Sequence, residues 1–389
     1  MSISKLVPQA DFEHAVQCRR YLHQYPEVGF ELPNTAAFVR SELQKLGLEP
    51  TDRYGAHSLC VDLGPKDGKL LALRADMDAL PVQEKTGLSY ASKIDGCMHA
   101  CGHDAHTAIL LAVAKLLKEQ EDQLPCGVRL IFQPNEEGAQ SGAKMLVDAG
   151  IMEGVDAVIG THCDNGLEVG SLGICPGDYQ AACAPITLRF LGKTSHATVP
   201  EEGVDAIAMA HLAYTRFREA IARLANGRPY IWSVGTFQGG FAHNVICDEC
   251  RMDISFRFYD NALCEAMHRE VLQICDEVCA QFGGQYDLDW HISTGPVHND
   301  RKLTAAFIEA TEQQLQPMTI IPNRMSSEDF GWYLTKAPGL VFRFGTQNAA
   351  KGCQGAAHTN DFIIDEDGMR PAIAAFVNFA LSADRYFCK

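Results

Sequence analysis

Apolar positions recur at helical spacing over residues 11 to 24 and 35 to 47, and two β-type runs follow at Ser58 to Leu63 and Leu70 to Ala75. The turn-like Pro65-Lys66-Asp67-Gly68 separates the two runs. A long apolar helix is predicted from about Asp104 to Glu119, then a strand at Val128 to Gln133, a helix near Ser141 to Ala149 and a strand at Ala157 to His162. Strand and helix alternating in this way give an α/β architecture, a three-layer α/β/α domain around a largely parallel mixed sheet.

The pattern changes after Tyr179. Strand-like Ile186 to Leu191, a helix from Val204 to Leu224, strands Ile231 to Phe237 and Met252 to Phe258, a helix at 263 to 282 and a strand near 286 to 292 spell βαββαβ, a ferredoxin-like α+β unit. From Asp300 the first pattern resumes, with Val341 to Phe344 as a buried strand and 367 to 382 as a closing helix. Residues 182–296 are therefore expected as a small domain inserted into a discontinuous larger one, 1–181 with 297–389. A chain of 389 residues exceeds one core of ordinary size, which agrees with two domains.

Composition narrows the function classes. A formal charge of −16 without any dense Lys/Arg patch repels phosphate backbones and anionic lipid, so no nucleic-acid partner is expected. The opening MSISKLVPQADF has no basic start leading into an apolar stretch, and the longest apolar run, Ala108 to Ala114, stops at Lys115; neither a signal peptide nor a membrane span is expected. Fifteen cysteines, odd in number and irregular in spacing, read as reduced core thiols of a cytoplasmic protein rather than a disulfide framework. The Cys247 to Cys250 run lacks the second pair that a zinc ribbon needs.

The densest chemistry is Met98-His99-Ala100-Cys101-Gly102-His103-Asp104-Ala105-His106. Cys101 and His103, two apart in extended backbone, can face one side and reach a common metal ion, while Asp104 suits a helix N-cap. Three histidines and a cysteine within eight residues gain nothing from ordinary packing. In Phe132-Gln133-Pro134-Asn135-Glu136-Glu137-Gly138, two adjacent carboxylates follow a buried strand, so one can ligate metal while the other approaches water as general base. A solvated acidic turn is the plain alternative, but strand ends are where α/β proteins place their sites. Arg74-Ala75-Asp76-Met77-Asp78 offers Asp76 or Asp78 as the acceptor that orients a ligating imidazole. His162 and His358 are further candidates that, seen alone, read equally as ordinary satisfied histidines.

These residues, together with Arg20-Tyr21-Leu22-His23, Pro26-Glu27, RADMDALP at 74 to 81, Gly192-Lys193-Thr194-Ser195-His196-Ala197, Gly203-Val204-Asp205-Ala206-Ile207, Asn244-Val245-Ile246 and Ser327-Glu328-Asp329-Phe330, run in order along nearly the whole chain. The chain resembles the metal-dependent aminoacylase and amidohydrolase branch of the zinc-carboxypeptidase-like families, which includes hippurate hydrolases, N-acetyldiaminopimelate deacetylases and auxin-conjugate hydrolases. The resemblance implies two divalent ions per subunit (zinc, manganese, cobalt or nickel) held by Cys101, His103, Glu137, His162 and His358. It implies Glu136 as the base that deprotonates the attacking water and returns the proton to the leaving amine. It further implies that the inserted domain is a lid and dimerisation domain. There His196 stabilises the oxyanion of a partner subunit's site in a homodimer, and Asn244 and Arg257 contact substrate, although Arg257 also reads as an exposed strand charge paired across its sheet. The implied substrate is a small N-acyl amino acid or a dipeptide-like molecule.

The chain departs from the family's usual pattern at Asn135, at Cys247, at Asp164-Asn165 and at Thr194-Ser195. None of these removes an expected ligand or the base, and residues 163 to 168 and 194 to 195 are expected to border the substrate. A dipeptidase or carboxypeptidase would use the same site, a thiol hydrolase would use Cys101 as nucleophile, and a non-catalytic metal-binding protein would not need Glu136.

Overall fold

The structure, a computed structural model, describes residues 3–387. The extremes of the expected larger domain, residues 1, 2, 388 and 389 with Cys388 among them, lie outside the described residues. The chain divides into two compact units. One comprises the residues up to Tyr179, Val297–Asn323 and the residues from Asp329 onward; the other comprises Gln180–Pro296 with Arg324–Glu328. Residues 324–328, which the sequence pattern leaves with the larger unit, thus cluster with the smaller one.

In the larger unit seven strands lie side by side in the order Leu59–Leu63, Gly127–Gln133, Leu70–Asp76, Ala157–Glu168, Gly339–Gln347, Leu172–Ile174 and Thr319–Ile320. The second to fifth of these run parallel, whereas Leu59–Leu63 and Leu172–Ile174 each pair antiparallel with a neighbour. Successive side chains of a strand point to opposite faces. Accordingly Leu71, Leu73 and Ala75 join one apolar core while Ala72 joins a second, and Leu340, Phe342 and Phe344 are separated from Val341 in the same way. Both faces are covered, as a largely parallel sheet requires, and the result is the expected α/β/α layering.

Helices Gln9–Gln24, Pro33–Lys45, His103–Lys118, Arg301–Gln314 and Met369–Ala380 contribute to the larger core. His103–Lys118 is buried almost all round, which explains its unbroken apolar sequence. It begins one residue earlier than the pattern predicts, after Gly102 in the left-handed region (φ 83°). A side chain at Gly102 would be strained there, and its Cβ would stand 2.5 Å from Cys163 Sγ. On the second face the short helix Gly142–Asp148 starts where Ser141 Oγ accepts the Lys144 N–H at 3.0 Å.

In the smaller unit four antiparallel strands are ordered Gln285–Trp290, Ala182–Leu191, Glu249–Phe258 and Tyr230–Gly239. Numbered along the chain that order is 4-1-3-2, the ferredoxin-like arrangement. Helices Ala206–Ala225 and Asn261–Phe282 share the core of this unit, filling it with residues such as Met209, Phe217, Met267 and Val278. Asp205 starts the first of these helices by accepting the N–H groups of Ile207 and Ala208. Among the described residues no helix is long and apolar enough to cross a membrane.

Candidate active site

Strand ends and one helix start bring the candidate residues of the larger unit together. Leu70–Asp76 delivers Asp76 and Asp78, Gly127–Gln133 delivers Glu136 and Glu137, and His103 opens its helix. His162 lies inside a strand that continues to Glu168 rather than ending at the histidine as the pattern predicts. His358 stands on a loop in the left-handed region (φ 69°), and Asn135 adopts the same region (φ 54°). Such conformations are uncommon outside glycine, with Asn and His among the residues that enter them most readily, and they concentrate at functional sites. Asn135 is therefore a residue that this turn favours, and Gly138 beside it has no room for a side chain, since a Cβ would lie 2.0 Å from Asn135 Oδ1.

Two donor triads emerge, Cys101–His103–His162 and Cys101–Glu137–His358, each with its ligand atoms within 4.8 Å of one another and with Cys101 common to both. Cys101 Sγ lies 3.4 Å from His162 Nε2, and His358 Nε2 lies 3.1 Å from Glu137 Oε1. His103 Nε2 is buried without a hydrogen-bond partner, 3.8 Å from Asp76 Oδ2 and 3.9 Å from both Glu136 Oε2 and Glu137 Oε1. Those gaps exceed hydrogen-bond length and suit donors gathered around a shared cation.

The second ring nitrogens are already committed. His103 Nδ1 donates to the Asp78 carbonyl at 2.9 Å and His162 Nδ1 to the Cys163 carbonyl at 2.8 Å, which turns both Nε2 atoms toward the cluster. The Asp78 carboxylate accepts the N–H groups of Glu136 (2.9 Å) and Glu137 (3.0 Å) and so fixes the paired glutamates. Asp76 instead accepts from His106 Nδ1 at 2.6 Å and pairs with Arg74 at 2.7 Å. His106 Nε2 in turn accepts the Cys163 N–H at 3.0 Å. Both nitrogens of His106 are spent, and the choice left open by the sequence resolves into Asp78 holding His103 and Asp76 holding His106.

Burial and crowded carboxylates together set the charges of His103 and Cys101. Burial opposes the charged form of His103, yet Asp76, Asp78 and Glu137 together raise its pKa to about 10. Burial, then Glu137 and Cys163, push the Cys101 thiol well above its usual range. That is the reverse of the cationic surroundings that activate a thiol nucleophile. Burial, followed by Arg343 and His106, keeps His162 neutral. A divalent cation would take the place of the proton on His103 Nε2, meet the lone pair of neutral His162, turn the Cys101 thiol into a thiolate and balance the acids.

The expectation for Asp104 is corrected by these surroundings. Asp104 makes no N-cap bond; its carboxylate accepts from Arg19 Nε at 2.7 Å and is paired with His23 Nδ1 at 2.8 Å in a buried cluster. His99 is buried with neither ring nitrogen hydrogen-bonded. Asn165, within the segment expected to border the substrate, is partly buried and tied into the fold. Its amide donates to the carbonyls of Gly355 (2.8 Å) and Ile363 (3.0 Å), pinning the loop that carries His358. Asp329 had no role in the motif reading. It collects Arg74, Gln133 and Ser141 on its carboxylate, and its N–H reaches Glu136 Oε1 at 3.4 Å.

His196, Asn244 and Arg257 belong to the smaller unit. The first two are exposed on adjoining segments, linked by the Ala197 N–H donating to the Asn244 carbonyl at 3.0 Å and by a bridge between His196 and Val245. Arg257 is half-buried and donates to the Met325 carbonyl at 3.0 Å and Ser327 Oγ at 2.8 Å, which replaces the expected cross-strand charge pair.

The model of peptidase family M20/M25/M40 matches residues 72–382. The chain belongs to this family. As an M20 member it is a hydrolytic enzyme, and the resemblance drawn from its motifs is met. It is 37% identical to the N-acetyl-L-cysteine deacetylase of Bacillus subtilis over 84% of this chain and 79% of that protein. Thermostable carboxypeptidase 1 of Saccharolobus solfataricus is 34% identical over 91% of both chains. Among solved structures, the Bacillus subtilis YXEP protein, a dinuclear metal-binding peptidase from the M20 family, superposes with a TM-score of 0.81 at 31% identity, over 96% of this chain and 99% of that one.

Proposed function

We propose that the M20 chain is a metal-dependent amidohydrolase of small N-acyl amino acids, with Cys101, His103, Glu137, His162 and His358 holding two divalent ions. The observation that carries this reading is the pair of donor triads meeting at Cys101, beside a buried His103 Nε2 that has no hydrogen-bond partner. Thiolate and imidazole suit zinc, cobalt or nickel rather than calcium or magnesium, and the Glu137 carboxylate also admits manganese. When bound, such ions supply the positive charge that polarises an amide carbonyl and acidifies water. Glu136, fixed at its backbone by Asp78, takes the proton of the attacking water and returns it to the leaving amine. Asn244 and Arg257 engage the substrate, and His196 stabilises the oxyanion in a partner subunit's site.

A homodimer is part of the same proposal. Strand Tyr230–Gly239 forms one edge of the smaller sheet, and Ile231, Phe237 and Phe241 are exposed on and beside it. The fourteen cysteines of the described residues are all unpaired, which supports a reducing compartment such as the cytoplasm. Relatives named as carboxypeptidases keep peptide cleavage as a second reading. Rates on N-acetyl, benzoyl and peptidyl amino acids rank the two. The central test is Glu136→Gln, which should lower kcat by about 10² to 10⁴ while metal content stays at the wild-type level. Turnover equal to wild type would remove Glu136 from the mechanism.

A further inference from the structure

Helix Gln9–Gln24 places His14 and Cys18 four residues apart on one face, and helix Pro33–Lys45 brings Glu42 opposite them. The three donors close a small triangle. His14 Nε2 lies 2.9 Å from Glu42 Oε2, Cys18 Sγ lies 3.5 Å from His14 Nε2, and Cys18 Sγ lies 4.0 Å from Glu42 Oε2. Around a tetrahedral zinc ion, with metal–sulfur near 2.3 Å and metal–nitrogen or metal–oxygen near 2.1 Å, neighbouring donors stand roughly 3.4–3.6 Å apart. The triangle needs only a few tenths of an ångström of adjustment at each side to meet that geometry. None of its donors belongs to the catalytic cluster.

An ordinary hydrogen-bonded His–Glu pair explains less of what is there. Cys18 is 3% and Glu42 8% exposed, so a thiol and a carboxylate, two groups that share a tendency to negative charge, are packed side by side away from water. Burial, with Glu42 adding to it, pushes the Cys18 thiol up to about 12. Lys45 pairs with the other oxygen of Glu42, leaving Oε2 directed at His14 and Cys18. A pocket of about 20 Å³ adjoins the triangle, with Asp11, His14, Cys18, Glu42 and Lys115 as its polar lining and alanine and leucine side chains as the rest. That volume is about enough for one ion or one water and excludes an organic ligand. The His14 side chain is 51% exposed, which provides an entry path.

We propose that His14, Cys18 and Glu42 form a second, non-catalytic site for one borderline-soft divalent ion of the zinc class. A thiol, an imidazole and a single carboxylate select zinc, cobalt or nickel over the hard cations calcium and magnesium. Binding releases the Cys18 proton to solvent, and the ion, bonded to His14 and Cys18 on one helix and to Glu42 on the other, cross-links helices Gln9–Gln24 and Pro33–Lys45. One of these helices carries Arg19 and His23, the partners of Asp104 next to the catalytic His103. The ion therefore acts as a staple behind the active site and takes no part in hydrolysis.

Elemental analysis decides it. Full-length protein saturated with zinc and freed of excess by desalting should carry one more equivalent than His14→Ala or Cys18→Ser treated identically, with kcat unchanged in both variants. Cobalt substitution should show near-ultraviolet thiolate absorption in wild type that loses the Cys18 share in Cys18→Ser. His14→Ala removes a half-exposed side chain, so it keeps the test valid if the cysteine variant does not fold. Equal zinc content in wild type and folded His14→Ala, checked by circular dichroism, would overturn the site.

Discussion

Asp78 holds both halves of the site at once, with its carbonyl on His103 Nδ1 and its two carboxylate oxygens on the Glu136 and Glu137 N–H groups. Asp78→Ala keeps the carbonyl on His103 but should leave the Glu136 and Glu137 N–H groups unpaired, cost about 2 kcal/mol in denaturant unfolding and lower metal affinity or turnover 10- to 100-fold. Wild-type values on both measurements would show that other contacts orient the ligands. Gly102 is a second position where a single atom matters. Gly102→Ala must hold a left-handed backbone and push its Cβ into Cys163 Sγ, so a loss of roughly 1–3 kcal/mol is expected. At this scale the sequence was legible wherever chemistry was local. The Cys101–Xaa–His103 spacing and the Glu136–Glu137 pair identified themselves, whereas His162 and His358, remote in sequence, stood out only through the family likeness. Asp104 was misread as a cap because its partners Arg19 and His23 lie 85 and 81 residues away.

Among the elements, the strands and helices with clear periodicity fall where the apolar pattern puts them, to within a few residues at most ends. The short strands Leu172–Ile174 and Thr319–Ile320 escaped notice, because two or three residues carry no period to detect. Ala157–Glu168 outruns its apolar stretch because its second half, Asn165 onward, alternates between partly buried and exposed positions. In the smaller sheet Asp253 sits directly across from Thr187 on one neighbouring strand and Thr236 on the other. Hydrogen bonds from Arg251 first, then Thr236, outweigh burial and lower its pKa to about 2. A carboxylate whose pKa is depressed in the folded state stabilises above its unfolded value near 4, and that contribution is lost as the pH falls toward 2. Asp253 is partly exposed, so after solvent screening the expected effect is about 1 kcal/mol. Asp253→Asn should be less stable than wild type at pH 7 and should converge with it near pH 2, as followed by urea unfolding across that range. Parallel pH profiles would mean that these bonds contribute nothing net.

For the whole molecule, the balance of charge in the larger unit is the governing fact. Asp76, Asp78, Glu136 and Glu137 gather around His103 with Cys101 beside them, and besides His103 itself the cations Arg74 and His358 are each engaged by one acid of the group. Divalent ions held there, as proposed, would complete that balance, and by linkage each would add about 4 kcal/mol to folding stability at a thousand times its dissociation constant. Chelation should accordingly lower the thermal midpoint and the activity together. The most direct measurement is metal content and amide-bond turnover on the same protein, before chelation, after exhaustive dialysis against chelator, and after zinc, manganese, cobalt or nickel is returned. The account predicts loss of turnover with loss of metal and recovery as two equivalents reoccupy the catalytic cluster. Full turnover by metal-free protein, abolished only by alkylating Cys101, would contradict it.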